Sequence, residues 1–196
     1  MARTESTMLA LGTLAPDFAL PDVAHGRVMT RDGIRGDKPL LVMFISRHCP
    51  YVIHVAKEIA RVAHEYADRV AVVGIAANDI ANYPDDAPAN MQAMAREFGF
   101  DFPVLYDESQ EVAKAYAAAC TPDFFLFDES GRLAYRGQLD DSRPRNDRPV
   151  TGRDLRAALD AVLAHQSPNP EQYPSLGCNI KWRSGNEPGY YPAQPR

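Results

Sequence analysis

Cys49 is the residue of this chain best placed to do chemistry. It sits in Ser46-Arg-His-Cys-Pro50, between the apolar run Leu40-Leu-Val-Met-Phe-Ile45 and a segment with helical periodicity. A thiol at a helix N-terminus meets unpaired N–H groups and a partial positive charge, and both favour the thiolate. Thiols so placed ionise below ~8.5. Ser46, Arg47 and His48 supply a hydroxyl and possible positive charge next door, the groups expected to tune that ionisation. The bland alternative is a buried, inert cysteine, which is common for this residue type. The other thiols are Cys120, two residues before Pro122, and Cys178, in a Gly-Cys-Asn-Ile context near the end. Cys120 reads as a redox partner or as a packed residue closing an Ala-rich helix. Cys178 reads as a small buried plug anchoring the tail, with a third exchanging thiol as the alternative.

The elements that must hold these residues follow from periodicity. The continuous apolar runs at 40–45 and 70–77 suit parallel strands covered on both faces. Between them Val52, Val55, Ile59, Val62 and Tyr66 recur at spacings of three and four, with Lys57, Glu58, Arg61, His64 and Glu65 on the other side. Pro50 suits the first turn of that helix, where its missing N–H has no partner to lose. This is a right-handed βαβ unit. Further on, a helix is expected around 90–98, a short strand at 102–106, a helix over 110–119 and a helix from Arg153 to His165 capped by Thr151. Strands at 123–128 and 132–136 flank Glu129-Ser-Gly131, a hairpin signal. Residues 1–166 read as one domain. Residues 167–196 form a tail rich in Pro and aromatics, expected to pack on that domain as neither helix nor central strand.

Composition narrows the classes. The chain has 196 residues, 45% of them hydrophobic and 24% charged, which is enough for a core without a disulfide scaffold. Its formal net charge of -5 argues against a nucleic-acid partner. No run approaches the ~20 apolar residues of a membrane span, and the N-terminus is a poor secretory signal. Three cysteines, an odd number, do not suggest a secreted disulfide framework, so a cytoplasmic location is expected. No Cys/His cluster has metal-ligand spacing, and no phosphate-binding loop is visible. Asp140, Asp141 and Asp147 read as a solvated acidic loop paired with Arg143, Arg145 and Arg148. His54 falls toward the polar side of its helix and is no base for Cys49. No metal or other cofactor is expected.

The opening Gly12-Thr-Leu-Ala-Pro-Asp-Phe-Ala-Leu20, Cys49-Pro50 after a buried strand, and Thr121-Pro122 before another resemble the AhpC/TSA and TlpA-related branch of the thioredoxin-like superfamily. Cys120-Thr-Pro-Asp-Phe124 and Gly177-Cys-Asn-Ile-Lys-Trp182 further resemble a peroxiredoxin-like subgroup. The resemblance spans nearly the whole chain. It implies a thioredoxin-like α/β fold: a central mixed sheet flanked by helices, with an N-terminal extension and a Pro-rich tail. It implies that Thr121-Pro122 is a cis-proline loop facing Cys49, and that Pro50, Thr121 and Pro122 contact substrate. The departures are as informative. Val52 stands where thioredoxins carry their second cysteine, and Met43 where they keep a buried carboxylate. Ile53 excludes the Cys-x-x-x-Cys pair of copper carriers. Against the peroxiredoxin pattern Pro-x-x-x-Thr-x-x-Cys, Ser46 takes the Thr position but Val42 the Pro position, and the later peroxiredoxin Arg is missing.

Three functions remain open at this point. One is a thiol-disulfide oxidoreductase in which Cys49 attacks, Thr121 and Pro122 present backbone to an extended substrate, and Cys120 resolves. Another is a weak peroxidase using Ser46, Cys49 and an external thiol. The last is a binding module whose catalytic apparatus has decayed. The partners implied are protein or small-molecule thiols and disulfides, and peroxides for the peroxidase.

Overall fold

The computed structural model describes residues 3–191. The ends of the tail, including Pro192 and Pro195, and the first two residues lie outside the described residues. In chain order the elements are β1 (Arg3–Glu5), β2 (Ala19–Pro21), β3 (Val28–Thr30), α1 (Arg31–Arg35), β4 (Leu40–Phe44), α2 (Pro50–Tyr66), β5 (Ala71–Ala76) and α3 (Pro88–Phe98). They continue as β6 (Val104–Tyr106), α4 (Glu111–Ala115), β7 (Cys120–Thr121), β8 (Asp123–Phe127), β9 (Leu133–Gly137), α5 (Arg153–Leu163) and β10 (Leu176–Asn179).

The central sheet is mixed, in the order β6-β5-β4-β8-β9. β4, β5 and β6 run parallel, β8 runs antiparallel to β4, and β9 closes a hairpin with β8. Every residue of β4, β5 and β8 is buried, which is why these segments, Asp123 apart, read as apolar runs and not as alternating strands. Alternation decides the face instead. Leu41, Met43 and Ile45 point into a cluster with α2, α3 and α5 through Val52, Ile59, Met94 and Leu159. Leu40, Val42 and Phe44 point to the opposite cluster, where Tyr116, Phe125 and Phe127 meet edge to face at 5.8 Å. This is the thioredoxin-like architecture, an α/β fold with a mixed central sheet between helices.

Three local expectations change. The helix over 110–119 stops at Ala115, because Ala117 takes a left-handed φ of 50° and the chain turns into β7. α5 is not capped by Thr151. Gly152 is its N-cap, and the buried Asp140 carboxylate accepts from the backbone N–H groups of Thr151 and Gly152, both at 2.6 Å. Glu58, expected on the solvated side of α2, is buried beneath Arg156 of α5, which donates to it at 2.6 Å.

The tail differs most. Leu176–Asn179 is the middle strand of a second, three-stranded sheet in the order β1-β10-β7. The prolines explain why this was hidden. Pro174 and Pro188 bracket a proline-free stretch that can donate to a ladder on both sides. Gly177 is what lets β10 lie so close. A Cβ at that position would collide with the Thr121 carbonyl. Beyond the strand, Ile180 and Trp182 are buried in the core cluster around Phe44.

Candidate active site

Cys49 is the N-cap of the 17-residue helix α2, with Pro50 in its first turn and no side-chain cap bond. The helix therefore presents its free N–H groups where the sulfur sits. The sulfur is fully buried, and its Sγ lies 3.1 Å from the Thr121 carbonyl oxygen. The Thr121–Pro122 peptide bond is cis. β8 leaves this loop directly beside β4, pairing Asp123 with Phe44, so the two loops emerge at one end of adjacent strands.

The second thiol at this point is Cys178. In the β7–β10 ladder Cys178 is the register partner of Thr121, the residue whose carbonyl faces Cys49. The Cys49 and Cys178 side chains are hydrogen-bonded to each other. That bond is the largest influence on Cys49 and holds its thiol well below the ordinary range. Burial opposes it, while Thr121 and the Val52 backbone N–H add to it. Cys178 is pushed the other way, first by the same bond and then by burial. The pair thus ionises at Cys49 and keeps its proton on Cys178.

Cys120 bonds to other groups. Its Sγ is fully buried, 3.7 Å from the Pro122 carbonyl and 3.9 Å from the Ser175 carbonyl. Burial, then the charge of Asp123, push its thiol well above the ordinary range. Side chains alternate along β7, so Cys120 and Thr121 face opposite ways, and the thiol brought to Cys49 is the one across the ladder. The expectation that Cys120 pairs with Cys49 rested on nearness to the proline, and the strand pleat works against it. Similarly, the Thr121 backbone is not open to an extended substrate in this conformation, because β10 already pairs with it.

Ser46, Arg47 and His48 direct their bonds away from the sulfur. Ser46 Oγ donates to both oxygens of the buried Asp86 carboxylate at 3.1 and 2.9 Å. The Arg47 backbone N–H donates to it at 2.6 Å and His48 Nδ1 lies 2.7 Å away. The Arg47 guanidinium reaches out to Glu97 at 3.2 Å. Asn78 Nδ2 donates to Asp86 at 2.5 Å and its own Oδ1 accepts from the Lys181 backbone N–H at 2.7 Å. Asp86 therefore clamps the turn that carries Cys49 and links it, through Asn78, to the tail. Burial makes the carboxyl harder to ionise, but the bonds from His48, Asn78 and Ser46 outweigh that and hold it below its usual range. A lowered folded value stabilises the fold above the unfolded ~3.9 and is lost as pH falls through the folded value. Asp86→Asn should cost ~2 kcal/mol in urea denaturation at pH 7, since an amide group would face donors already in place. The gap between the proteins should narrow below about pH 4. Equal stabilities at pH 7 would show that the clamp is idle.

Asp86, Asp123 and Lys181 are the residues that sequence reasoning did not single out. Lys181 is buried, and its Nζ donates to the carbonyl and side-chain oxygens of Asn179, both at 2.7 Å. It also lies 5.6 Å from the centre of the Tyr83 ring, against which His48 stacks at 5.4 Å. Asp86 and Asp123 sit in short polar stretches that resemble any loop. The one available signal was that Asp123 opens an otherwise apolar strand. Among the described residues no group of three or more His, Cys, Asp or Glu side chains forms a metal site.

With this geometry in view, comparison with known proteins places the chain. A family model described as Redoxin matches residues 10–155. The chain belongs to the Redoxin family. A solved structure of an uncharacterised conserved protein from Geobacillus kaustophilus is 51% identical, with a TM-score of 0.91 over 93% of this chain and 97% of that one. A hypothetical protein from Sinorhizobium meliloti 1021 is 48% identical, with a TM-score of 0.90 over 93% of this chain and 100% of that one. Among curated relatives, thiol-disulfide oxidoreductase ResA of Geobacillus thermodenitrificans is 26% identical over 136 residues, 66% of this chain and 70% of that protein. Thiol-disulfide oxidoreductase YkuV of Bacillus subtilis is 26% identical over 108 residues, 55% of this chain and 71% of its own. As a Redoxin the chain keeps the family core in residues 10–155, and Cys178 lies outside that stretch.

Proposed function

We propose that this Redoxin is a thiol-disulfide oxidoreductase whose attacking sulfur is Cys49. The observation that carries the proposal is the placement of that sulfur at the N-cap of α2, beside the cis Thr121–Pro122 loop and bonded by the Cys178 thiol, which favours its thiolate. A thiolate is the nucleophile of disulfide exchange. It displaces one sulfur of a substrate disulfide, leaving a mixed disulfide on Cys49 and releasing the other sulfur as a thiolate. The partners are protein or small-molecule thiols and disulfides, and the curated relatives named thiol-disulfide oxidoreductase support that choice. The odd number of cysteines supports a reducing compartment, the cytoplasm. A peroxidase needs a cation on the departing oxygen. Arg47, the arginine of the Cys49 turn, is engaged with Glu97 and does not offer that charge.

The test is dithiothreitol-driven reduction of insulin disulfides, followed by turbidity, beside hydrogen peroxide consumption. The full chain should accelerate insulin reduction, and Cys49→Ser should fall to the uncatalysed rate. Alkylation by iodoacetamide against pH should show one early-titrating thiol, absent in Cys49→Ser. Peroxide consumption without insulin reduction would make the protein a peroxidase. Three thiols titrating together near ~8.5, with no activity in either assay, would make it a binding module.

A further inference from the structure

The thioredoxin-like exchange reaction needs a second thiol to release a trapped substrate, and position 52, where a neighbouring cysteine would serve, is valine. We infer that Cys178, carried by the tail strand β10, is the resolving thiol of Cys49. This rests on the exchange function proposed above. Cys178 faces Thr121 across the ladder, and the Thr121 carbonyl touches the Cys49 sulfur at 3.1 Å. Both sulfurs belong to one apolar cluster. The two thiols are already hydrogen-bonded, so they can meet with little rearrangement.

The strand that delivers Cys178 does so as a substrate would. β10 adds antiparallel to β7 along backbone that an extended peptide would otherwise use. Cys178 thus occupies the place of a substrate cysteine. Gly177 permits the close approach, since any Cβ there would strike the Thr121 carbonyl. Lys181, held in the interior by Asn179, places a positive charge in the field of both sulfurs, which favours a thiolate on either.

The steps balance. The Cys49 thiolate attacks a substrate disulfide, forming a Cys49–substrate bond and breaking the substrate S–S bond. The departing substrate thiolate takes a proton from water, and the returning Cys178 thiol gives its proton to the hydroxide so formed. The Cys178 thiolate then attacks Cys49, forming Cys49–Cys178 and releasing the second substrate sulfur as a thiolate, which takes a proton from water. One disulfide is reduced, two protein thiols are oxidised, and two electrons move. An external dithiol reduces the Cys49–Cys178 bond and completes the cycle. Both cysteines are buried in the reduced state, with exposures of 0% and 3%. The cavity on the far side of Pro122, bordered by Tyr51, Ser175 and Leu176, touches neither cysteine and holds about 20 Å³, room for about one water molecule. Substrate entry therefore requires β10 to lift from β7, and resolution is its return.

The experiment equilibrates the reduced full-length protein with oxidised glutathione, quenches with acid, alkylates free thiols and maps the peptides. Wild type should give a Cys49–Cys178 link with Cys120 alkylated, and Cys120→Ser should give the same link. In Cys178→Ser, and in Cys178→Ala as a second variant at this buried site, glutathione should remain on Cys49. The adduct should persist roughly a hundredfold longer than in wild type, because an oriented intramolecular thiol has been replaced by one from solution. A Cys49–Cys120 link would overturn the assignment, as would a glutathione adduct in wild type as long-lived as in the variants. A Cys49 that takes no glutathione in any of these proteins would instead sink the exchange function itself, and the role of Cys178 with it.

Discussion

A chain ending at Gln166 should melt roughly 10–20 °C below the full-length protein, or lose its cooperative transition altogether. The removed segment supplies Cys178, Ile180 and Trp182, all buried. Burial of each large apolar side chain is worth ~1.5–3 kcal/mol, so these residues together contribute about 5 kcal/mol. That is comparable with the lower end of the ~5–15 kcal/mol by which domains are stable. Backbone bonds go as well. The Lys181 carbonyl accepts from the Asp79 N–H at 2.8 Å and from Gln110 Nε2 at 2.9 Å, and Ile180 N–H donates to the Ala119 carbonyl at 3.1 Å. Buried donors left without partners cost ~1–3 kcal/mol each. Differential scanning calorimetry of the two proteins measures the loss. A truncated chain melting within a few degrees of wild type would show that the tail merely rests on the domain.

Asp123→Asn should reshape the dependence of stability on pH. Asp123 is fully buried directly after Pro122, accepts from Ser6 Oγ at 2.7 Å, and lies 3.4 Å from the Ala119 N–H. Burial pushes its carboxyl up to about 7, against the opposing pull of Ser6 and nearby backbone N–H groups. The unfolded value is ~3.9. Below that value the group is protonated in both states and exerts no penalty. As pH rises toward 7 the unfolded chain ionises while the folded one keeps its proton, so stability falls, and above 7 the fall stops. Three units at ~1.4 kcal/mol each give a loss of ~4 kcal/mol between pH 4 and pH 8. Asparagine removes this slope. It also sets an amide donor against the Ala119 N–H, a roughly constant cost of ~1–2 kcal/mol. The variant should be the less stable protein at pH 4 and the more stable one at pH 8, read by urea denaturation at both. Parallel profiles would show that Asp123 is ionised throughout. Carboxylates such as Asp86 act in both proteins and cancel in the difference.

The sheet and the seat of Cys49 at a helix terminus were legible in the sequence because each leaves a local signature. A strand buried on both faces must be apolar throughout, as 40–44 and 71–76 are, and α2 must repeat its apolar positions every three or four residues. Cys49 followed from the junction of these two patterns. What escaped depended on contacts between distant segments. Closeness to Pro122 in sequence points to Cys120 as the partner, but strand pleating turns adjacent side chains to opposite faces. Cys178 reaches Cys49 only through a ladder that joins β1, β10 and β7, and no periodicity announces a four-residue strand inside a proline-rich tail. Asp86 was invisible for a similar reason. It lies in a short 3-10 turn with Asp85, and only the folded chain shows which of the two carboxylates is turned inward.

β10 lies between β1 and β7, with Cys178 opposite both Arg3 and Thr121, so the second sheet is completed by a segment made after both of its neighbours. A ribosome delivers Cys49, α2 and the cis-proline loop first. At ~5–20 residues per second, some seconds pass before residue 178 follows. During that interval β7 is an uncovered edge, open to pairing with other chains, beside a helix terminus that bears a thiol. A growing chain is therefore the form in which Cys49 is least shielded from foreign disulfides. Once residue 178 has emerged the chain can close its own edge, and the order of synthesis sets how long Cys49 stands uncovered.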